Sequence, residues 1–148
     1  MDADLRDLLA AFLAHRVRFL VVGAHALAVH GVPRATGDLD VWVEPTAANA
    51  QCIWQALAAF GAPLDALRIG PDDFTRPDVV VQLGLPPRRV DVLTSASGLT
   101  FAAAWEDRVE ATIDDLPVPF LGRASLIRNK RASGRPKDLR DLDALGEV

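Results

Sequence analysis

Phe19-Leu20-Val21-Val22-Gly23-Ala24-His25-Ala26 is the stretch whose reading decides the fold. From Arg18 to Val22 the chain is a short, apolar, partly β-branched run, which predicts a buried strand ending at Gly23. From Ala24 to His30 it turns rich in Ala and Leu, then stops at Gly31-Val32-Pro33, which predicts a short helix beginning at the strand's end. The first organising unit is therefore strand, glycine, helix. The unpaired N–H groups and positive dipole end of such a helix suit an anion, so a phosphate fits beside Gly23. A glycine between strand and helix more often serves tight packing alone, so the turn by itself is a weak signal for phosphate.

Working outward, Leu5, Leu8, Leu9, Phe12 and Leu13 recur at helical spacing ahead of the strand. Behind it, Asp38 to Val43 reads as a second strand, and Thr46 as the N-cap of a helix running to about Phe60. Gly61 to Pro77 predicts an irregular excursion with one helical turn near Asp72 to Phe74. Val79 to Leu83 and Arg89 to Leu93 read as strands joined by Gly84-Leu85-Pro86-Pro87, a link too short for a crossover helix, so they should pair antiparallel. Phe101 to Trp105 predicts a helical turn, Val109 to Ile113 and Pro117 to Phe120 strands, and Ala124 to Arg131 and Lys137 to Leu145 helices.

Asp38 and Asp40 sit two apart in a strand, so their side chains leave one face about 7 Å apart while Leu39, Val41 and Val43 face the other way. Two like charges side by side call for a cation between them, and oxygen-only ligands suit Mg²⁺ or Mn²⁺. A capped turn at Thr36-Gly37-Asp38 is the other reading of the pair alone. Asp91 interrupts an apolar strand, where an ionised carboxylate needs either a metal or a partner such as Arg34, Arg88 or Arg89. The segment Asn129 to Lys137 concentrates positive charge, with Lys130 and Arg135 as candidates to hold a polyanion; basic residues there also complement a helix C-terminus. Trp42, Trp54 and Trp105 read as core or interface residues rather than stacking platforms.

The bulk properties bound these readings. At 148 residues, half of them apolar, the chain fits a single domain, 1–148, that buries its own core. Met1 to Asp7 carries three aspartates where a signal peptide needs positive charge, and no apolar run spans a bilayer, so a soluble cytoplasmic protein without membrane contact is expected. Cys52 is the only cysteine, which leaves neither an internal disulfide nor a cysteine metal cluster. A net charge of −4 argues against general nucleic-acid affinity; any polyanion must meet a local patch.

Together, the Phe19 to Ala26 turn, His30-Gly31, Arg34-Ala35-Thr36-Gly37-Asp38-Leu39-Asp40-Val41-Trp42-Val43, Arg89-Val90-Asp91-Val92-Leu93 and the tail from Asn129-Lys130-Arg131 to Gly134-Arg135-Pro136-Lys137-Asp138-Leu139 resemble the minimal nucleotidyltransferases of the polymerase-beta superfamily. Within it they are similar to the short bacterial proteins related to abortive-infection and toxin–antitoxin nucleotidyltransferases. The resemblance implies an α/β (α+β) nucleotidyltransferase fold, a mixed β-sheet flanked by helices. It implies Asp38, Asp40 and Asp91 as catalytic and metal-binding acids for Mg²⁺ or Mn²⁺, with Asp91 able to take the proton of the attacking hydroxyl. Gly23, Ala24, Arg34, Thr36, Lys130 and Arg135 would bind the nucleotide phosphates. The implied reaction is attack of an acceptor hydroxyl on the α-phosphorus of a nucleoside triphosphate, with a tRNA or other RNA, a protein or a small molecule as acceptor, and a cognate toxin or antitoxin as partner. One departure stands out: where the family turn commonly reads Gly-Ser or Gly-Gly, Ala24 offers no hydroxyl, and His25 is the nearby donor that could replace it. That departure keeps open a second reading, a binding module of the same fold without turnover.

Overall fold

The computed structural model describes residues 2–35, 37–85 and 88–147. Helix α1 (Ala3–Ala14) opens with Asp2 accepting from the Asp4 N–H at 2.9 Å and buries Leu5, Leu8, Leu9 and Phe12, the stripe that the sequence spacing predicts. Strand β1 (Phe19–Val22) is buried at every residue and runs directly into α2 (Gly23–Val29). Strand β2 (Leu39–Val43) leads to α3 (Ala47–Phe60), whose cap Thr46 accepts from the Asn49 N–H and whose end is turned by Gly61 at φ 91°.

The excursion after Gly61 departs from expectation. It holds two helical pieces, α4 (Leu64–Leu67) and a 3₁₀ turn (Pro71–Thr75), rather than one. Leu64 and Leu67 pack on the core, but a single turn is too short for its periodicity to register in the sequence. Then follow β3 (Val80–Leu83), β4 (Val90–Leu93), α5 (Phe101–Glu106), β5 (Val109–Ile113), β6 (Leu116–Phe120), α6 (Arg123–Ser133) and α7 (Pro136–Ala144). These elements follow the sequence reading to within a few residues at their ends.

The strands form one mixed sheet in the order β3-β4-β2-β1-β6-β5. β3 and β4 pair antiparallel as expected, β1 and β2 also pair antiparallel, while β2 pairs β4 in parallel. Two apolar cores sandwich the sheet. On one face Phe19, Val21, Leu39, Val41 and Val92 pack under α1 and α3; on the other Leu20, Val22 and Trp42 pack under α2, α5, α6 and α7. Alternation along β1 therefore serves both cores at once, which is why it carries no polar residue. Trp42 is buried and meets Phe101 edge-on at 5.1 Å, a core role as expected, whereas Trp105 lies partly buried beneath the guanidinium groups of Arg18 and Arg108. Among the described residues no helix is long and apolar enough to cross a membrane.

Candidate active site

The second face of the sheet carries two acids. Leu39, Val41 and Val43 point into the first core, so alternation sends Asp40 to the opposite face; Val90 and Val92 do the same for Asp91. The parallel register places Asp40 directly across from Asp91, and the antiparallel register places Asp40 across from Val22 on its other side. Partnered positions on adjacent strands lie about 5 Å apart, so the two carboxylates are held abreast. Gly23, at φ 67°, closes against them: a β-carbon there would sit 2.3 Å from Asp40 Oδ2. Burial raises the Asp40 carboxyl above its ordinary range and the Asp91 charge raises it further, with Arg89 and Lys137 acting against and Asp38 with the shift.

Arg89 ties the acids together. Its Nε lies 3.0 Å from Asp91 Oδ1, and its Nη2 donates to Asp91 Oδ2 at 3.4 Å. The closer contact is an ion contact without hydrogen-bond alignment, so Arg89 Nε and Asp91 Oδ1 are both buried without a hydrogen-bond partner among the described residues. The Arg89 backbone N–H donates to Asp38 Oδ1 at 3.0 Å. Asp38 thus stands at the entry to β2, within electrostatic reach of Asp40 but engaged with the neighbouring strand's backbone. Among the described residues no three His, Cys, Asp or Glu side chains converge as a group able to hold a metal ion. The expected three-acid constellation resolves into a close pair, Asp40 and Asp91, with Asp38 beside it. That donor set still fits Mg²⁺, which commonly takes one or two protein carboxylates and completes its shell with water and phosphate oxygens. Asp91 Oδ1, buried and in ion contact with Arg89 but without a hydrogen bond among the described residues, is an oxygen that a hard cation would satisfy.

The pair lies in the wall of a cavity of about 580 Å³ bounded by the α2 turn, β4 and the α6–α7 hairpin. Gly23, Ala24, Arg34, Lys130 and Arg135 all contribute to it, so most of the expected nucleotide-binding set is brought to one place. Thr36 lies outside the described residues. Five cationic side chains, with Arg89 and Lys137 completing the set, face Asp40, Asp91 and Asp141 there. The cavity therefore reverses the sign of a chain whose net charge is −4.

These cations are not equivalent. Lys130 is buried and clasped by Asp138 Oδ1 at 3.3 Å and Asp141 Oδ2 at 3.0 Å, Arg34 pairs with Asp141, and Arg135 Nε meets Asp138 Oδ2 at 2.7 Å. Burial would raise the Asp138 carboxyl, but hydrogen bonds from Arg135 and Lys130 outweigh it and hold it below its ordinary range. Lys130 and Arg135, the candidates to hold a polyanion, both stand in the wall, but their charge is shared with α7. Lys137 is different, exposed in the lining with its charge directed at Asp40. Sequence alone does not single it out, because the basic segment reads as one block, whereas helical phase separates Lys137 from the buried face of Asp138, Asp141 and Leu142. His25 is not among the residues that line the cavity, and its Nε2 is buried without a hydrogen-bond partner among the described residues. Its ring hydrogen-bonds the Asp38 backbone and burial lowers its pKa.

The fold and the comparisons agree. A family described as nucleotidyltransferases of unknown function (DUF6036) matches residues 1–146. The crystal structure of a candidate nucleotidyltransferase from Thermotoga maritima is similar with a TM-score of 0.59, covering 96% of this chain and 88% of that one. Its 14% identity speaks to the fold alone. No curated protein matches the chain in sequence.

Proposed function

The chain belongs to the family of nucleotidyltransferases of unknown function, and from that premise we propose that it is a divalent-metal-dependent enzyme of the polymerase-beta type. It would move a nucleoside monophosphate from its triphosphate to a hydroxyl of an RNA, protein or small-molecule acceptor. The observation that carries this reading is the placement of Asp40 across from Asp91 on adjacent parallel strands, within a cavity of reversed charge.

In this reading Asp40 and Asp91, with Asp38 behind them, hold Mg²⁺ or Mn²⁺, which when bound neutralises phosphate charge and favours in-line displacement. The chain's own residues do the rest. The Gly23 turn lets the backbone approach the triphosphate, and Ala24 leaves that contact to N–H groups alone. Lys137, Arg34 and Arg135 draw the polyphosphate to the α7 side of the cavity, where pyrophosphate would leave. Asp91 accepts the proton of the attacking hydroxyl, and that oxygen forms the new bond to the α-phosphorus as the bond to pyrophosphate breaks.

Incubating the protein with each labelled triphosphate, Mg²⁺ and cell extract tests the proposal. We expect label in RNA, tRNA included, or in protein, lost in Asp40→Asn and reduced in Asp38→Asn. Transfer that survives Asp40→Asn would refute the assignment. A second reading is favoured by Ala24: a binding module of this fold that covers a cognate toxin or antitoxin without turnover. Nucleotide binding with no transfer to any acceptor, together with capture of one stoichiometric partner, would favour that reading.

A further inference from the structure

Arg89 does more than neutralise one acid. It reaches all three: its backbone N–H binds Asp38, its guanidinium contacts Asp91, and its charge is felt by Asp40 across the strand pair. It also lines the cavity together with Asp40 and Asp91, so the guanidinium and the two carboxylates border the same space. Its contact with Asp91 is close but misaligned, leaving both Arg89 Nε and Asp91 Oδ1 without a hydrogen bond. One prong of the arginine fork is made, Nη2 to Oδ2 at 3.4 Å, while the other is out of line, so the pair falls short of the two parallel N–H···O bonds that a matched fork gives a carboxylate.

We propose that the Arg89 side chain is a resident counter-cation that occupies the metal-binding acids until a divalent ion arrives with a triphosphate, whereupon the guanidinium is released from Asp91 to pair with phosphate. The inference rests on the reading of Asp40 and Asp91 as metal ligands. Its physical content is competition followed by exchange. A cation already against Asp91 must lower the affinity for a free divalent ion, because either charge alone compensates the buried carboxylate. Once phosphate oxygens are present, the displaced guanidinium has a better bidentate partner, so its release is no longer unfavourable. Metal and triphosphate then bind as a coupled pair, each strengthening the other by the same factor. The free protein thereby avoids holding metal without substrate.

The test titrates Mn²⁺ alone into wild type, Arg89→Gln, Arg89→Lys and Asp40→Asn, reading free Mn²⁺ by its paramagnetic resonance signal. Arg89→Gln should bind Mn²⁺ about tenfold or more tightly than wild type, the effect expected when a charge-assisted contact no longer competes. Arg89→Lys, which keeps a cation beside Asp91, should stay near wild type, and Asp40→Asn should lose the site. Adding inorganic tripolyphosphate should tighten Mn²⁺ binding strongly in wild type and much less in Arg89→Gln. A wild-type measurement guards against a variant that folds poorly: the Arg89 Nε–H resonance should shift on adding Mg²⁺ with tripolyphosphate, and should not in Asp40→Asn. Mn²⁺ affinity that is unchanged or weaker in Arg89→Gln, or an Arg89 resonance that stays fixed, overturns the counter-cation while leaving the acid pair standing. Mn²⁺ binding that survives Asp40→Asn, or is missing from every form, removes the metal reading and this inference with it.

Discussion

At the scale of single residues, the site depends on one backbone position that only glycine serves. Gly23 combines a left-handed φ of 67° with a contact that would press any β-carbon 2.3 Å from Asp40 Oδ2. Gly23→Ala should therefore cost about 1–2 kcal/mol from the backbone alone and should displace the Asp40 carboxylate as well. A lower melting temperature together with lost transfer is expected, and unaltered transfer would show that the close approach is dispensable. Asp40 itself is held against its own preference. Its pKa is raised from the usual 3.8 by burial and by Asp91. Its contribution to stability is thus fully present below that value and is lost as pH rises through the folded value. Asp40→Asn should accordingly raise the melting temperature at pH 7 in the presence of a chelator, by about 2–4 °C for each 1 kcal/mol relieved. The gain should vanish in acid, where the wild-type carboxyl is protonated in both states. A variant that melts lower at pH 7 would contradict the strain. The candidacy of these acids was legible in the sequence because a charged residue in an apolar strand announces itself. What Arg89 does was not, since it is fixed by which atoms face which once two strands pair.

At the scale of elements, most boundaries were legible because each carries local punctuation: Thr46 and Gly61 around α3, Gly31 beyond α2, Gly134 at the end of α6 and Pro136 at the start of α7. The single-turn α4 had too little length to be read. The α6–α7 hairpin shows what punctuation cannot carry. Its basic segment reads as a solvated patch offered to a polyanion, yet Lys130 and Arg135 are bound to Asp138 and Asp141 on the buried side of α7, where Arg34 from the loop after α2 also pairs with Asp141. The signal that could have found this is the phase of α7, where two aspartates share the stripe of Leu142. Asp138→Ala leaves buried Lys130 with Asp141 as its remaining partner among the described residues and removes the Arg135 contact, so it should cost about 1–3 kcal/mol in urea unfolding. Because the Asp138 pKa lies below 3.8, its contribution is present above that value and is lost as pH falls through the folded value. The difference between wild type and variant should therefore shrink in strong acid. A cost under about 1 kcal/mol at pH 7 would mean that the cluster is solvated rather than structural.

At the scale of the whole molecule, the sheet order is the part of the fold that no local pattern encodes. Nothing in Asp38 to Val43 or Arg89 to Leu93 says that these segments lie side by side in parallel, or that residue 40 meets residue 91. That register follows from burying two apolar faces simultaneously, a condition on all six strands and both helical layers. The same global arrangement collects scattered cations into one cavity while the surface elsewhere stays acidic. The consequence is a field that attracts polyphosphate to the acids and weakens with added salt. Lys137 is the side chain on which this can be tested cleanly, because it is exposed, lines the cavity and has no ion-pair partner among the described residues. Lys137→Ala should leave the melting temperature of the free protein nearly unchanged, since exposed substitutions usually fall within about 0.5 kcal/mol. It should weaken triphosphate binding several-fold at low salt and lessen the dependence of that binding on ionic strength. If affinity falls equally at low and high salt, Lys137 acts through a short-range contact rather than the field; if it does not fall, polyphosphate does not reach the α7 side and the orientation proposed for the leaving group is wrong.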